Sequence, residues 1–406
     1  MSYVLRTNLS IVAPAMSAEL GISEIELGWV LSAFALGYAL FQLPGGVFGD
    51  AVGPRLAVTL LAVAWGLLTL LTGLVPGGVS ASTAVAALLV IRFGVGVAHA
   101  PIFPVATGGM VANWFPVSAW GLPNGLSSAG LTLGAAATGP LIVALTASVG
   151  WRGSFFATAP LAFVLAAVWW RYTRDHPSQH PGVTPSELAL IEADRPWTAG
   201  AASERGIWKA ALRNREIRLL TASYFCMNYV FYLFFNWFFY YLTEVRHFPN
   251  QAGGNFIGAQ WLVGAVTATL GGIVCDRLTV RFGPTTGCRL TIMTGLLLSA
   301  PLLIAGALTR DPTMAVILLC LSFGCAELTD GAFWAATMRM GGKHVAAATG
   351  VLNTGGNVVS GVGALLVPLT AAAFGWVAAV STGAVFAVIG ALLWIWIRVD
   401  RHIVGT

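Results

Sequence analysis

The chain has 406 residues, of which 57% are apolar and only 9% are charged, and its mean hydropathy is +0.79. Soluble proteins carry roughly 25% charged residues to cover their surface, so this composition excludes a soluble globular enzyme, a disordered chain and a secreted disulfide scaffold. A membrane protein with many spans remains. We therefore interpret the net charge of +5 as a signal of membrane topology, with no nucleic acid as a partner.

Twelve apolar stretches are long enough, at about 20 residues each, to cross a bilayer as helices. Their continuous apolar character, without strict alternation, favours a helical bundle over a β-barrel. We therefore predict an all-α membrane protein with twelve transmembrane helices. The predicted spans are 3–18, 25–48, 56–74, 83–110, 120–147, 153–171, 217–242, 255–275, 287–308, 313–338, 345–373 and 376–397.

The first predicted span is apparently short, because Arg6 lies close to Met1 and the cytoplasmic half of the helix is not evident. One alternative is a signal peptide with Ala13-Pro14-Ala15 as a cleavage-like site. An even number of spans requires this helix, so we predict a transmembrane helix here. A start codon upstream of Met1 is a second explanation for the shortness.

The distribution of lysine and arginine orients the predicted spans. With the N-terminus in the cytoplasm, sixteen of the 21 basic residues fall on the cytoplasmic side and three on the other side. The positive-inside rule then predicts that both termini are cytoplasmic. The expected location is the cell inner (plasma) membrane, with the chain as a multi-pass protein. The remaining two basic residues, Arg6 and Arg92, fall inside spans.

One long polar segment, 172–216, divides the spans six and six. Within it, Thr184-Pro185-Ser186-Glu187 is typical of a capped helix start, so we predict a short amphipathic helix to about Arg195 in a cytoplasmic linker. The predicted domains are an N-terminal six-helix half at 1–171, this linker at 172–216, a C-terminal six-helix half at 217–398 and a cytoplasmic tail at 399–406.

A glycine- and aspartate-containing motif follows the second span and recurs after the eighth. Glycine allows helices to approach closely, and the aspartate can cap a helix end or pair with a basic residue, so we predict a gating role. Its recurrence at equivalent places indicates two pseudo-symmetric halves. The first copy contains Gly46, Asp50, Gly53 and Arg55, and the second contains Gly272, Asp276 and Arg277.

This Gly-x-x-x-Asp-x-x-Gly-x-Arg pattern resembles the signature loop of the major facilitator superfamily. Within that superfamily the chain resembles the anion:cation symporter family of sugar-acid and organic-anion transporters, nearly from end to end. The resemblance implies a major facilitator fold and transport by alternating access. The matching segments are Tyr3…Arg6…Asn8-Leu9-Ser10, Gly28 to Phe34, Gly37 to Gly46, Ala100 to Pro104, Asn113 to Pro116 and Gly350 to Asn357.

Arg6 and Arg92 are predicted to lie within the membrane, where a charge costs about 2.5–3.5 kcal/mol on insertion scales. The acids of the N-terminal half sit at span ends, so none is placed within the membrane to neutralise them. We predict an anion site, because an arginine fork binds a carboxylate or phosphate in bidentate fashion and stays charged. The alternative is that one or both bind backbone carbonyls or reach the interface. The resemblance implies substrate binding, since the family's substrate-binding arginines match both positions.

Three titratable residues are candidates for carrying a coupled proton. His99 lies two turns beyond Arg92 on the same helix face, where a nearby arginine disfavours a proton and a bound anion favours one. The alternative for His99 is a neutral, hydrogen-bonding role. Glu327 and Asp330, the only acids in spans away from the span ends, lie three residues apart on one helix face, and they either take up a proton or hold a neighbouring helix.

The chain departs from the sugar-acid symporters at positions that bear on coupling and specificity. Leu5 and His99 stand where those symporters often carry an aspartate and a glutamate, so both usual coupling acids are absent. This leaves an organic-anion exchanger or uniporter as the alternative to proton symport. Gly130 stands near a position that is often polar in the family, which predicts a looser pocket.

Aromatic and amide side chains at helical spacing complete the predicted pocket. A hydroxyl-rich ligand uses such donors and acceptors, although asparagine and tyrosine also bridge helices in bundles. For Tyr229 and Asn357 the choice between ligand contact and helix packing stays open. By resemblance, the residues predicted to face the substrate are Tyr3, Tyr38, Trp334 and Asn353.

These observations together predict a secondary transporter of small organic anions, such as a hexonate, a hexuronate or a related carboxylate, with proton symport. No HExxH, GxSxG or Walker motif occurs, so no enzyme is expected. The five cysteines show no CxxC and no zinc spacing, so neither a metal nor a cofactor is expected. The expected partners are the anion, protons and the lipid bilayer, with the protein as a monomer.

Overall fold

The computed structural model describes residues 2–102, 105–106, 110–115, 121–193, 212–341 and 345–400. Throughout these residues the regular secondary structure is helical and no β-strand occurs, so the prediction of an all-α protein is confirmed. The chain divides into two compact units, Met1–Ala202 and Ser203–Thr406, and the division falls inside the predicted linker segment.

The described part of the first unit contains eight α-helices. They are α1 (Ser2–Leu20), α2 (Glu24–Val52), α3 (Pro54–Gly73), α4 (Ala81–His99), α5 (Met110–Trp114), α6 (Gly121–Thr158), α7 (Pro160–Tyr172) and α8 (Pro185–Ala193). Gly150 has a φ of 73° and kinks α6, so the fifth span ends there and the sixth span continues into α7. Helix α8 is the helix predicted in the polar segment, and the Thr184 hydroxyl accepts a hydrogen bond from the Glu187 backbone nitrogen at 3.3 Å.

The described part of the second unit contains seven α-helices. They are α9 (Arg215–Tyr240), α10 (Asn250–Phe282), α11 (Pro284–Leu308), α12 (Pro312–Glu327), α13 (Asp330–Gly341), α14 (Val345–Phe374) and α15 (Trp376–Leu393). A π-helical turn, Tyr241–Val245, continues α9. Each of these helices except the pair α12 and α13 corresponds to one predicted span.

The tenth span, predicted as one helix, is broken between Glu327 and Asp330. The Thr329 backbone nitrogen donates to the Ala326 carbonyl at 3.0 Å, and its hydroxyl donates to the same carbonyl at 2.7 Å. The backbone of α10 also presses on the break, since a Cβ built at Gly271 would lie 1.8 Å from the Leu328 carbonyl oxygen. The two acids are therefore separated by a tight turn at Leu328 and Thr329, which packs against Gly271 of α10.

Nine helical stretches among the described residues are long and apolar enough to cross a membrane. They account for ten of the twelve predicted spans, because the fifth and sixth spans form one stretch, Gly130–Tyr172. The helices of the other two predicted spans, α1 and α9, carry polar side chains, among them Arg6, Tyr224 and Asn228. Both helices supply polar residues to the sites described below.

The same turn joins the second span to the third and the eighth span to the ninth. Gly53 ends α2 with a φ of 84°, and Gly283 ends α10 with a φ of 85°. Each glycine is followed by a proline that begins the next helix, Pro54 or Pro284. Glycine adopts this left-handed conformation without steric cost, whereas other residues do not. The two equivalent turns are the structural counterpart of the repeated motif.

An ion pair between Glu19 and Arg152 joins the end of α1 to α6. Glu19 lies beyond the predicted span 3–18, and it also accepts a hydrogen bond from Trp151 Nε1 at 2.8 Å. The Arg152 guanidinium, and then the Trp151 indole, hold the pKa of the Glu19 carboxyl below its ordinary value. The charged form of Glu19 is therefore bound more favourably in the folded protein than in the unfolded chain.

We expect Glu19→Gln to destabilise the protein by less than about 1 kcal/mol, because exposed ion pairs are screened by solvent. The Glu19 carboxyl has a lower pKa in the folded protein than in the unfolded chain, where its pKa is about 4.3. The ion pair therefore stabilises the fold above a pH of about 4.3, and this stabilisation is lost as the pH falls through the pKa of the folded state. Thermal unfolding in detergent at about pH 7 and about pH 3 measures the effect. A difference from wild type that persists at the lower pH would contradict an electrostatic origin.

Candidate functional site

Two arginines of the first unit lie buried beside each other. Arg6 on α1 is 8% exposed, and Arg92 on α4 is 3% exposed. Arg92 Nη2 donates to the backbone carbonyl oxygen of Arg6 at 3.4 Å, and no described residue accepts a hydrogen bond from Arg92 Nε. Within the described residues, no carboxylate lies at ion-pair distance from the Arg92 guanidinium. The Arg92 fork, which has five N–H donors, therefore retains donors for a ligand.

One aromatic ring lies against both guanidinium groups. The centroid of the Phe34 ring on α2 is 5.4 Å from Cζ of Arg6 and 5.1 Å from Cζ of Arg92. Two further rings approach Arg6, Tyr38 at 5.2 Å and Tyr3 at 5.8 Å. A ring face attracts a cation through its quadrupole. Unlike a carboxylate, it has no lone pair that accepts a hydrogen bond from the N–H donors of the guanidinium. The rings therefore stabilise the positive charge while leaving the Arg92 fork able to bind an anion.

His99, the last residue of α4, packs into the same aromatic group. Its ring centroid lies 4.4 Å from Trp65, 5.4 Å from Tyr38 and 6.0 Å from Phe34. The histidine is 5% exposed. Because Phe34 and Tyr38 each contact both His99 and a buried arginine, a charge on this imidazole would act on the arginines across one layer of side chains.

The first unit thus brings together five of the residues that the sequence singles out. They are Tyr3, Arg6, Tyr38, Arg92 and His99, called the arginine cluster below. The arginine cluster holds two fixed cations and two phenols and so has the chemistry of an anion site.

Two further observations bear on this site. Gly130 on α6 borders open space, since an added Cβ would meet no described atom within 4 Å. The described residues contain no group of three side chains that could hold a metal ion.

In the second unit, Asp330 is held by a tyrosine donor. The Tyr224 hydroxyl on α9 donates to Asp330 Oδ1 at 3.2 Å, and Trp334 lies one turn beyond Asp330 on α13, with its ring centroid 6.3 Å from that of Tyr224. Glu327 lies across the helix break and packs close to Gly264 of α10. No ion pair among the described residues includes either acid. Asp330 therefore has a hydroxyl donor but no described cation as a partner.

A polar ladder joins α9 to α14 in the second unit. The Tyr232 hydroxyl donates to Asn357 Oδ1 at 2.6 Å, and Asn357 Nδ2 donates to the carbonyl and side-chain oxygens of Asn353 at 2.8 and 2.9 Å. Tyr229 is fully buried, with its hydroxyl 2.7 Å from that of Thr382. These contacts favour a packing role for Asn357 and Tyr229, the two residues that the sequence left open.

The first copy of the loop motif is tied to the end of the sixth span. The Arg55 backbone nitrogen donates to Asp175 Oδ1 at 2.8 Å, and the guanidinium donates to the Trp170 carbonyl at 2.9 and 2.8 Å. The same guanidinium lies 4.1 Å from the Trp170 ring. The side chains at Gly46 and Asp50 lie outside what the structure describes. Within the described part, Arg55 therefore anchors the turn at the start of α3.

The second copy of the motif is longer by about one helical turn. Asp276 and Arg277 lie inside α10, which continues to Phe282, and both side chains are exposed. Asp276 therefore does not cap the end of this helix, and that suggestion from the sequence is wrong. Gly272 lies where α10 approaches α13, since a Cβ at Gly331 would be 3.5 Å from its Cα.

Sequence reasoning missed the acids that follow the last span of each unit. Asp400 accepts a hydrogen bond from the Thr285 hydroxyl at 2.7 Å, and Arg289 Nη2 donates to the Ile397 carbonyl at 3.0 Å. These contacts repeat, in the second unit, the link that Asp175 makes in the first. The signal available in the sequence was an aspartate a few residues beyond both the sixth and the twelfth spans.

Comparisons with known proteins place the chain among membrane transporters. The family described as Major Facilitator Superfamily matches residues 1–345. A probable sulfoacetate transporter, SauU, of Cupriavidus necator is 32% identical over 356 residues, which cover 87% of this chain and 80% of the relative. A probable galactarate/D-glucarate transporter, GudP, of Bacillus subtilis is 32% identical over 373 residues, with 89% and 80% covered.

Two further comparisons extend over nearly the whole chain. The D-galactonate transporter of Escherichia coli O6:H1 is 29% identical over 421 residues, covering 99% of this chain and 94% of the relative. A solved structure of a bacterial homologue of the human lysosomal transporter Spinster, inward-facing and unoccupied, aligns with a TM-score of 0.79 at 19% identity. That alignment covers 97% of this chain and 93% of the other, and it shows a shared fold.

Proposed function

The chain belongs to the major facilitator superfamily, and from this premise we propose that it is a secondary transporter of small organic anions, which it binds through Arg6 and Arg92. The family match confirms the membership and the fold that the loop motif predicted. The relatives are transporters, which confirms the prediction that the chain is a multi-pass membrane transporter and not an enzyme. The binding residues and the coupling are part of the proposal.

The buried Arg92 fork is the observation that carries the proposal. A buried cation is costly unless it is paired, and no described carboxylate pairs with Arg92. A ligand carboxylate relieves that cost and uses the donors that the aromatic rings leave available. The substrates in the relatives' names, sulfoacetate, galactarate, D-glucarate and D-galactonate, are organic anions, which supports the same class here.

Four further side chains are proposed as substrate contacts. Tyr3 and Tyr38 lie against Arg6 and offer hydroxyl groups to a polyol chain. Trp334 and Asn353 are proposed to contact substrate in the second unit. Transport is proposed to proceed by alternating access in a monomer, with both termini in the cytoplasm and the protein in the cell inner membrane. The repeated loop motif, with Arg55 anchored at its turn, is proposed to take part in gating.

Protons are the proposed coupling ion, with His99, Glu327 and Asp330 as candidate carriers. His99 packs against rings that contact the arginines, so a proton there adds a third positive charge near the bound anion. The two acids of the tenth span lack a described cation partner, so a proton neutralises one of them at low cost. The chemistry of each candidate predicts a different response to substitution.

We expect His99→Gln to flatten the pH dependence of uptake, because glutamine keeps a hydrogen-bonding amide and cannot gain a charge. In wild type, a protonated His99 attracts the anion, so uptake falls as the pH rises through its titration. Initial uptake rates at fixed substrate concentration across the pH range measure the effect. Asp330→Asn is the matched comparison: if it flattens the profile and His99→Gln does not, the carrier lies in the second unit.

The second candidate function is an organic-anion exchanger or uniporter. It is favoured by Leu5 and His99, which stand where the sugar-acid symporters often have acids. An exchanger needs only the anion site, and it moves one anion outward for each anion inward. Neither Glu327 nor Asp330 then needs to titrate during transport.

Uptake by purified protein in proteoliposomes separates these functions. The panel comprises sugar acids, sulfoacetate, monocarboxylates and a neutral sugar, each with and without an inward proton gradient. Proton symport predicts uphill uptake that collapses with the gradient, whereas exchange predicts uptake only into vesicles preloaded with an anion. Preference for the neutral sugar over every anion would refute the proposed substrate class.

A further inference from the structure

Two thiols of the second unit lie in contact on the hairpin that carries the second copy of the loop motif. Cys275 on α10 and Cys288 on α11 have their Sγ atoms 3.7 Å apart. The cysteines are 2% and 0% exposed. Among the described residues, no third side chain joins them in a group that could hold a metal ion. The pair is therefore a dithiol, and its chemistry is that of oxidation between two sulfurs.

The helices that carry the two thiols approach each other backbone to backbone. A Cβ built at Gly287 would lie 2.5 Å from the backbone nitrogen of Thr279 and 2.6 Å from its Cα. Gly283, with its φ of 85°, turns the chain so that α11 runs back along α10. The thiols, which flank this contact, are held at short range by the main chain of the hairpin.

The spacing of the two sulfurs suits bond formation. An S–S bond is about 2.05 Å long, so the sulfurs have to approach by about 1.6 Å from their separation of 3.7 Å. Rotation about the two Cα–Cβ bonds is the movement that brings the sulfurs together. The other three cysteines, Cys226, Cys320 and Cys325, make no sulfur–sulfur contact within the described residues.

We propose that Cys275 and Cys288 form an intramolecular disulfide when the protein meets a hydroperoxide. One thiol is first oxidised to a sulfenic acid while the O–O bond of the hydroperoxide breaks and one water or alcohol leaves. The second sulfur then attacks the sulfenic sulfur, the S–S bond forms and water leaves. Overall, two thiols give up two electrons and two protons, and hydrogen peroxide is reduced to two waters.

This bond closes the hairpin that carries the second copy of the loop motif. The predicted topology places that end of α10 and α11 on the cytoplasmic side, where thiols are kept reduced. The pair is therefore a dithiol in the resting cell, and under oxidant stress it becomes a disulfide that links α10 to α11. A reductant reverses the change.

Thiol counting on the purified full-length protein in detergent tests the proposal. After treatment with hydrogen peroxide and then unfolding, wild type is expected to lose two of its five free thiols and to weigh two hydrogens less. Trypsin cuts after Arg277 and Arg281, between the two cysteines, so the peptide with Cys275 should be found linked to the peptide with Cys288. Dithiothreitol is expected to separate the two peptides and restore all five thiols.

Three variants serve as controls. Cys275→Ser and Cys288→Ser should each lose no thiol pair, while Cys320→Ser, which removes another buried thiol, should still lose two. If peroxide adds oxygen mass to single cysteines, links a different pair, or leaves all five thiols free, the proposal is overturned. The peptide map of wild type decides the matter even if a serine variant fails to fold.

Discussion

Replacement of Arg92 by lysine is expected to lower uptake of the preferred anion by about 10- to 100-fold, the effect of losing one charged hydrogen bond of about 1.5–3 kcal/mol. The guanidinium presents two parallel N–H donors to a carboxylate, and the ammonium presents a single point of charge. Lysine also loses the contact between the guanidinium and the Phe34 ring, whose centroid is 5.1 Å from Arg92 Cζ. Because lysine keeps the positive charge, a loss of uptake shows that the geometry of the guanidinium matters, and not only its charge.

The measurement is the uptake rate in proteoliposomes over a range of anion concentrations. A matched control is Arg152→Lys, since Arg152 pairs with Glu19 at the end of α1 and lysine retains that ion pair. The control should stay within about twofold of wild type, as expected for an exposed pair. Unchanged uptake by Arg92→Lys, with the protein folded, would rule out bidentate binding of the substrate by Arg92.

The number of spans and the presence of two buried arginines can be predicted from the sequence, because both depend on the free energy of placing residues in a bilayer. A bilayer requires about 20 consecutive apolar residues per helix, so the number of apolar stretches sets the count. A charge inside a span stands out for the same reason, which is why Arg6 and Arg92 are visible without a structure. His99 is visible as well, because it lies two turns from Arg92 on one helix.

Contacts between distant segments are what the sequence does not predict. The break after Glu327 depends on the main chain of α10 pressing on Leu328, and nothing in the apolar run 313–338 indicates it. The bond from Arg55 to Asp175 joins residues 120 positions apart. Periodicity describes one helix at a time, so it cannot show which partner a polar group finds on another helix.

Phe34 illustrates a further limit of sequence reasoning. A buried phenylalanine in an apolar helix is ordinarily a packing residue, and the sequence offers no reason to think otherwise. In the structure its ring lies within 5.4 Å of both guanidinium carbons and 6.0 Å from the His99 ring. A carboxylate at this position would lie next to both arginines and compete with a bound anion. Replacing Phe34 by a residue with a carboxylate therefore tests whether the two arginines bind the substrate.

Phe34→Glu is expected to weaken anion binding by about 100-fold or more, because a resident carboxylate competes for forks that each offer charged hydrogen bonds of about 1.5–3 kcal/mol. Phe34→Gln is the matched control, since it removes the same ring and adds a neutral group of the same shape. It should weaken binding by only about tenfold, the loss of a desolvated cation–π contact of about 2 kcal/mol or less. The difference between the two variants isolates the added negative charge.

Stability should change in the opposite direction from binding. In the free protein, the introduced carboxylate would supply a counter-charge to the buried arginines, so Phe34→Glu should unfold at a higher temperature than Phe34→Gln. Phe93→Gln is a second control, because Phe93 follows Arg92 on α4 but its described ring contact is with Phe41. That variant should bind the anion as wild type does. If Phe34→Glu binds the anion as tightly as Phe34→Gln, the forks of Arg6 and Arg92 do not hold the substrate, since a neighbouring carboxylate would otherwise displace it.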